Sequence, residues 1–312
     1  MKYLFNGVDG HLGSVAANES LNLLNPTDLI FAAPDIKKIN KENLKKWTDA
    51  GVEIREASYD NYDQMVKAYH GVDRMLLLST WMIGETRRKQ HRDAINAAKE
   101  AGVKHIVYTS VKGAEIEVGT PVVASDHRDT EKALMESGLE YTIQRNMLYF
   151  DYIFSMFVPI SLYKNNCVWP SNTDGVKVAY VFRDDCARVA AALVAGKGES
   201  YKVYTVTGPE LLSEEELFKI ASEYTGKEIE YINMSTEAYY DYWEKRGVPR
   251  TVHGDFSNSP LPICTIDLVE NGDSIRSGHF CETTNVIEDL TGRKPTSARE
   301  GISYYKDVIL PR

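Results

Sequence analysis

The stretch that most constrains this chain runs from Lys2 to Asp35. A short apolar run, Tyr3-Leu4-Phe5, breaks at Asn6-Gly7 and continues as Val8-Asp9-Gly10-His11-Leu12-Gly13. An amphipathic segment follows, with Leu12, Val15, Ala16 and Leu23 assigned to one helical face. A second apolar run, Leu29 to Ala33, stops at Pro34-Asp35. Strand, glycine turn, helix and strand make the βαβ unit that binds a dinucleotide. In that reading Gly7 permits the sharp turn, Gly10 lets a pyrophosphate approach the backbone, and Gly13 lets the helix pack close to the sheet. The spacing, Gly-x-x-Gly-x-x-Gly, is one residue longer in its first gap than the common fingerprint. A tight βα turn without ligand is the alternative.

Strand and helix patterns then alternate. A lysine-rich helix is read over 36–50, a strand at Val52-Glu53-Ile54, and a helix capped by Asp60 or Asn61 that runs to Tyr69. Met75-Leu76-Leu77-Leu78 is apolar without alternation, as in a strand covered on both faces. A helix over 84–101, a strand over 103–110, a loop over 113–124, a helix from Ser125 or Asp126, and a strand at Tyr141-Thr142-Ile143 follow. This predicts an α/β fold, a Rossmann-type doubly wound parallel sheet. The rhythm loosens after Asn146, so residues 1–150 are read as the dinucleotide-binding domain. Residues 151–312 are read as a smaller, mostly helical substrate domain, with 176–207, including a strand over Val176–Val181, returning to the main sheet.

The 312 residues carry a net charge of -9, which argues against nucleic acid as a partner. Arg87-Arg88-Lys89 with Arg92 is the densest basic run and reads as a solvated helix face. Cys167, Cys186, Cys264 and Cys281 are scattered without metal-type spacing, as in a reduced, cytoplasmic protein, and no metal is expected. Met1-Lys2 leads straight into the first strand with no signal peptide or membrane span in view.

Ligands of open parallel sheets bind outside the carboxyl ends of the strands. That rule selects the turn residues Gly7, Asp9, Gly10, His11, Leu12 and Gly13, then Asp35, Tyr59, Asp60, Ser79, Thr80, Trp81, Ser110, Asn146 and Tyr149. Asp35 sits where an acid can bind an adenosine ribose, and Lys38 beside it could hold a 2′-phosphate instead. Tyr108-x-x-x-Lys112 matches a catalytic dyad in sequence only, because it falls on a strand end and not on a helix. His127 is the better candidate proton donor, with Glu131 four residues on and able to pair with it. The bland reading is a surface histidine. Ser110 could bind a carbonyl oxygen or cap the next turn. Trp81, Tyr149, Tyr152 and Phe154 could line a flat apolar pocket, or simply pack a core.

Asn6 to Gly13, Ser58-Tyr-Asp60, Gly71 to Ser79, Gln90 to Lys104 with Tyr108-Thr-Ser110, Asp126 to Lys132, Gly138 to Asn146, Gly278-His-Phe280 and Leu290 to Arg293 together resemble the NmrA-like branch of the atypical short-chain dehydrogenase/reductases. The likeness is strongest to its NAD(P)H:quinone oxidoreductase members. The resemblance implies an NAD(P)H-dependent reductase acting on a quinone, enone or related carbonyl, or alternatively a non-catalytic dinucleotide sensor. It places Gly7, Gly10, His11, Leu12 and Gly13 at the pyrophosphate, and Tyr59 and Asp60 at the adenine. It also places Ser79 and Thr80 at the ribose, and Asn146 to Tyr149 near the nicotinamide. His127 occupies the slot of the usual catalytic lysine and Val123 that of the tyrosine. Pro34 stands where many members carry arginine, so NADH is expected to serve at least as well as NADPH. A homodimer is the candidate assembly.

Overall fold

The computed structural model describes residues 1–117 and 122–311, the Val122 side chain excepted. Part of the loop read over 113–124 therefore lies outside the described residues. In chain order the first half comprises β1 (Tyr3–Asn6), α1 (His11–Ser20), β2 (Leu29–Ala33), α2 (Lys41–Asp49), β3 (Glu53–Glu56), α3 (Tyr62–Tyr69), β4 (Arg74–Leu77), α4 (Glu85–Glu100), β5 (His105–Val111), α5 (Val122–Glu136) and β6 (Glu140–Asn146). Then come α6 (Phe150–Tyr152), a π turn (Ile153–Phe157), α7 (Val158–Lys164), β7 (Val168–Ser171), α8 (Arg183–Val194), β8 (Lys202–Val206), α9 (Glu214–Thr225), β9 (Glu230–Asn233), α10 (Thr236–Glu244) and α11 (Thr265–Arg276).

Seven strands form one parallel sheet in the order β3-β2-β1-β4-β5-β6-β8. This is the Rossmann-type arrangement. The chain winds outward from β1 to β3, then crosses back to lay β4 on the other side of β1. That reversal opens a crevice at the carboxyl ends of β1 and β4, the place where such sheets bind ligands.

Side chains alternate across the sheet and fill two cores. Phe5, Leu29, Phe31, Ala33, Leu76 and Val107 face the side covered by α1, α2 and α8, a core continuous with the apolar residues of the second half. Leu4, Ile30, Ala32, Met75, Leu77, Ile106, Tyr108 and Ile143 face α3, α4 and α5. Burial on both faces explains the unbroken apolar runs in these strands. It also puts Tyr108 on the α4–α5 side.

Several local expectations need correction. α1 ends at Ser20, so Leu23 lies beyond the helix and is partly exposed. The helix read over 36–50 is a short 3-10 turn, Ile36–Lys38, followed by α2, because Asn40 accepts from the Glu42 and Asn43 N–H groups and starts a new helix. α5 begins earlier than read, at Val122. Val176–Val181 is not a strand: it pairs only through isolated bridges, Tyr149 with Val181 and Val178 with Leu212. β8 does return to the main sheet, whereas β7 and β9 form a separate parallel pair.

Candidate functional site

The glycine turn is built for close approach. Gly7 sits at φ +72°, the left-handed region that a side chain disfavours. A Cβ on Gly13 would fall far inside contact distance of the Gly7 carbonyl oxygen, so only glycine lets α1 pack this tightly against the turn. Gly10 donates its N–H to Gly7 O at 3.1 Å and caps α1 without any side-chain hydrogen bond. The first turn of α1 contains no acidic residue. Its N–H groups and positive dipole end therefore remain available to an anion. Asp9, Gly10 and His11 are exposed and Leu12 is half-buried. His11 Nε2 meets Asp184 Oδ1 at 2.5 Å, which ties the turn to the start of α8. These features fit a dinucleotide pyrophosphate.

The other cofactor candidates lie along the same carboxyl edge. Asp35 caps the 3-10 turn, its Oδ1 accepting the Lys37 N–H at 2.9 Å, with Lys37 and Lys38 exposed beside it. The Tyr59 hydroxyl donates to Leu78 O at 2.7 Å. Exposed Asp60 accepts from Gln90 Nε2 at 2.7 Å. The backbone N–H of Ser79 donates to Thr109 Oγ1 and that of Thr80 to His91 Nε2, at 3.1 and 3.0 Å. Both bonds hold the β4–α4 loop against the sheet.

His127 lies in the second turn of α5 and is only 5% exposed. The surface reading is therefore excluded, and so is pairing with Glu131. His127 Nδ1 instead lies 2.7 Å from the Tyr108 hydroxyl. Burial, then the positive charge of Arg87 and competition with His91 for a proton, pushes the imidazole well below its ordinary pKa. It is a neutral ring, not one poised near neutrality. Glu131 points to the ends of β5 and β6, where it accepts from Ser110 Oγ at 2.5 Å and from Arg145 Nε and Nη2 at 2.9 and 2.6 Å. Ser110, 3% exposed, is thus committed to Glu131 and neither caps a turn nor offers its proton elsewhere. Tyr108 and Lys112 form no dyad: Tyr108 is buried on His127, and Lys112 Nζ pairs with Glu115 and Glu282 at 2.7 and 2.6 Å.

Of the basic run on α4, Lys89 is the solvated member, pairing with Asp93 one turn on, and the arginines are not. Arg88 Nε reaches buried Asp126 at 2.7 Å, and Arg92 pairs with Asp129 at 2.8 Å, because α4 packs along α5. Arg87 is 6% exposed. His91, fully buried, accepts from Thr80 N–H on Nε2, so its Nδ1–H donates to Thr130 Oγ1 at 2.8 Å, and Thr130 donates in turn to Asp126 O at 2.9 Å. Burial and then Arg87 lower His91 to about 3. Sequence reasoning missed Arg87 and His91. The signal was their four-residue spacing, which places both on the helix face that also carries Ala94 and Ala98.

At the end of β6, Asn146 accepts from Gln144 Nε2 at 2.7 Å and donates to the Tyr149 hydroxyl oxygen at 2.8 Å. The Tyr149 O–H remains able to donate onward. Burial raises its pKa well above the usual phenol value, so it stays protonated. Tyr152 lies across from Tyr149, ring centroids 6.2 Å apart. Tyr152 is 48% exposed and Trp81 87%, so both aromatics stand at the rim and not in a core. Among the described residues no cluster of His, Cys, Asp or Glu could hold a metal, the four cysteines are free thiols, and no helix is long and apolar enough to cross a membrane.

This geometry meets known proteins. The model of the NmrA-like family matches residues 8–259. Quinone oxidoreductase 2 of Escherichia coli strain K12 is 30% identical over 305 residues, 97% of this chain and 98% of that protein. The crystal structure of the NADPH-dependent quinone oxidoreductase from Escherichia coli complexed with NADPH superposes with a TM-score of 0.81 at 26% identity, covering 97% of this chain and 99% of the other. The Citrobacter sp. triphenylmethane reductase complexed with NADP(H) gives a TM-score of 0.79 at 25% identity, covering 98% and 100%. The chain is thus related to quinone and dye reductases, and it belongs to the NmrA-like family.

Proposed function

We propose that this protein is an NAD(P)H-dependent reductase that passes hydride to a quinone, enone or related carbonyl acceptor. The observation that carries the proposal is the cradle at the sheet reversal: a glycine-only contact between Gly13 and Gly7 beneath an uncapped helix N-terminus. Gly7, Asp9, Gly10, His11, Leu12 and Gly13 hold the pyrophosphate. Asp35, Lys38, Tyr59 and Asp60 hold the adenosine half, and Ser79, Thr80 and Asn146 the nicotinamide half. When bound, the dinucleotide supplies the hydride.

His127 is the residue assigned to the acceptor oxygen. Being neutral, it serves as a hydrogen-bond donor and not as an imidazolium acid: in the tautomer that accepts the Tyr108 O–H on Nδ1, the Nε2–H is left to donate. The acceptor gains two electrons and a proton as hydride, and a second proton, ultimately from water, completes its oxygen. Tyr149 donates from the β6 side, and Ser110 supports the site by fixing Glu131. Trp81, Tyr149 and Tyr152 cover the flat face of the acceptor, residues 151–312 forming the substrate side.

The expectation favouring NADH is revised toward NADPH. The two solved relatives bind NADPH and NADP(H). Asp35 has one carboxylate oxygen occupied by the Lys37 N–H, which blunts its repulsion of a 2′-phosphate and leaves Lys38 beside that position. The competing reading, a dinucleotide-binding regulator without turnover, draws on the deep burial of His127 and Ser110. A screen of purified protein with NADH and NADPH against quinones and enones separates the two. Acceptor-dependent oxidation supports the reductase; tight dinucleotide binding with no turnover on any acceptor supports the regulator.

A further inference from the structure

Arg87 is a buried cation with no ion-paired or hydrogen-bonded partner among the described residues. Its Nε and Nη1 are buried and make no hydrogen bond, and no hydrogen bond to the guanidinium is present among the described residues. Such a group is costly, because a desolvated charge is tolerated only with partners. Asp126, whose carboxylate charge acts on Arg87, makes its hydrogen bonds elsewhere: its Oδ2 takes the Gly84 N–H and its Oδ1 the Arg88 Nε, both at 2.7 Å. The charge of Arg87 also acts on His91, His127 and Tyr108. His91 is used on both nitrogens, and Tyr108 is used on His127. The Arg87 charge acts as well on half-exposed Tyr152, whose ring lies 6.2 Å from that of Tyr149.

We propose that Arg87 anchors an anionic oxygen on the acceptor, so that the physiological substrate of this site is a flat carbonyl compound carrying a carboxylate, sulfonate or ionised hydroxyl. The proposal rests on the reductase reading for what the ligand is, but not for whether it binds. Arg87 has unmet hydrogen-bonding valence. A guanidinium presents parallel N–H donors that match a carboxylate in a two-point contact. Here at least two such donors are desolvated and unpaired, one helical turn before His91, whose ring lies 5.6 Å from that of Tyr108, the partner of His127. Lysine would give charge without the fork. The site therefore holds a binding group whose cost in the free protein is offset only when a ligand arrives, as in other functional sites that trade stability for recognition.

The test uses the full-length protein and two matched probes, anthraquinone carboxylate and its neutral methylanthraquinone analogue. Their binding is followed by tryptophan fluorescence with NADPH present and absent. The carboxylate is expected to bind the wild type at least about tenfold more tightly than the neutral probe, as for a charged hydrogen-bonded pair. Arg87→Met abolishes that preference while NADPH affinity is unchanged, and Arg87→Lys keeps part of it. In the ligand-free protein Arg87→Met raises Tm by roughly 2 °C or more, because it removes an unpaired buried charge. A structural arginine would lower Tm instead. Three outcomes overturn the proposal: equal binding of both probes by the wild type, a preference that survives in Arg87→Met, or a loss of NADPH affinity in that variant. Absence of turnover on any acceptor would sink the reductase reading and leave this binding result standing.

Discussion

Two arginines at the carboxyl end of the sheet have opposite surroundings. Arg145 on β6 is held by Glu131 through two hydrogen bonds and by Glu115 at 3.3 Å, with Ser110 completing the Glu131 carboxylate. That hydrogen bonding raises its pKa above the ordinary value. Arg87 on α4 is more deeply buried and has no hydrogen-bonding partner among the described residues, and burial lowers its pKa. One network is complete and locks β5, β6 and α5 together. The other is open, lined by two neutral histidines and a tyrosine. A complete network holds a fold, whereas an open one in a crevice is held ready for a ligand.

The largest expected effect breaks the closed network. Glu131→Ala leaves Arg145 and Ser110 facing a buried gap and should cost about 3–5 kcal/mol, the usual penalty for removing one member of a buried pair. Urea denaturation with an unchanged m-value would measure it. A loss below about 1 kcal/mol would mean that water replaces Glu131 and that the network is not structural.

Acid separates the two regions next. His91, His105 and His127 have folded-state pKa values depressed below 6.5, to about 3 for His91 and about 4 for His105. Above 6.5 they contribute no pH dependence. Below it the unfolded chain takes up protons that the fold refuses, so stability falls, by about 1.4 kcal/mol per pH unit for each histidine. Glu115, which burial raises but hydrogen bonding and the charges of Lys112 and Arg145 bring below 4.5, adds its loss only as pH drops under that value. Stability measured from pH 7 to 5 should therefore decline steeply, and His91→Gln should reduce the slope by one proton. A flat profile over that range would place the histidines in solvent contact.

Smaller effects sharpen the contrast. Arg87→Met, the counterpart of Glu131→Ala, should stabilise the free protein by about 1 kcal/mol, not destabilise it. Smallest of all, Lys38→Ala should weaken NADPH binding by about fivefold and leave NADH unchanged, since an exposed charge pair is worth at most about 1 kcal/mol. Calorimetric titration with both dinucleotides reads this directly, and equal effects on the two would remove Lys38 from the 2′-phosphate.

The parts of the molecule legible in the sequence are those set locally. The first βαβ unit announces itself because β2 is apolar throughout and the glycine turn occupies eight consecutive positions. β7 and β9 passed unnoticed because each has four residues, one contains Pro170, and neither has a continuous apolar run. Val176–Val181 has strand-like composition, yet its backbone finds partners only in isolated bridges. At the site, His127 could be picked out from its helix, but its partner could not. Helical spacing pointed to Glu131, whereas sheet alternation places Tyr108 beneath α5 and brings Arg145 to Glu131. Arg87 looked like one charge in a basic run, and only the packing of α4 on α5 distinguishes it from Arg88 and Arg92.

The central claim is that the crevice joins a dinucleotide cradle to an acceptor site at His127. It is tested most directly by loading wild type and His127→Ala with NADPH, confirming equal affinity, and following a single turnover onto menadione. The account predicts oxidation of NADPH by the wild type and a rate lower by about 10²-fold or more in the variant, as for loss of a positioned donor. Equal rates in the two proteins, or tight NADPH binding by the wild type with no oxidation, would contradict it.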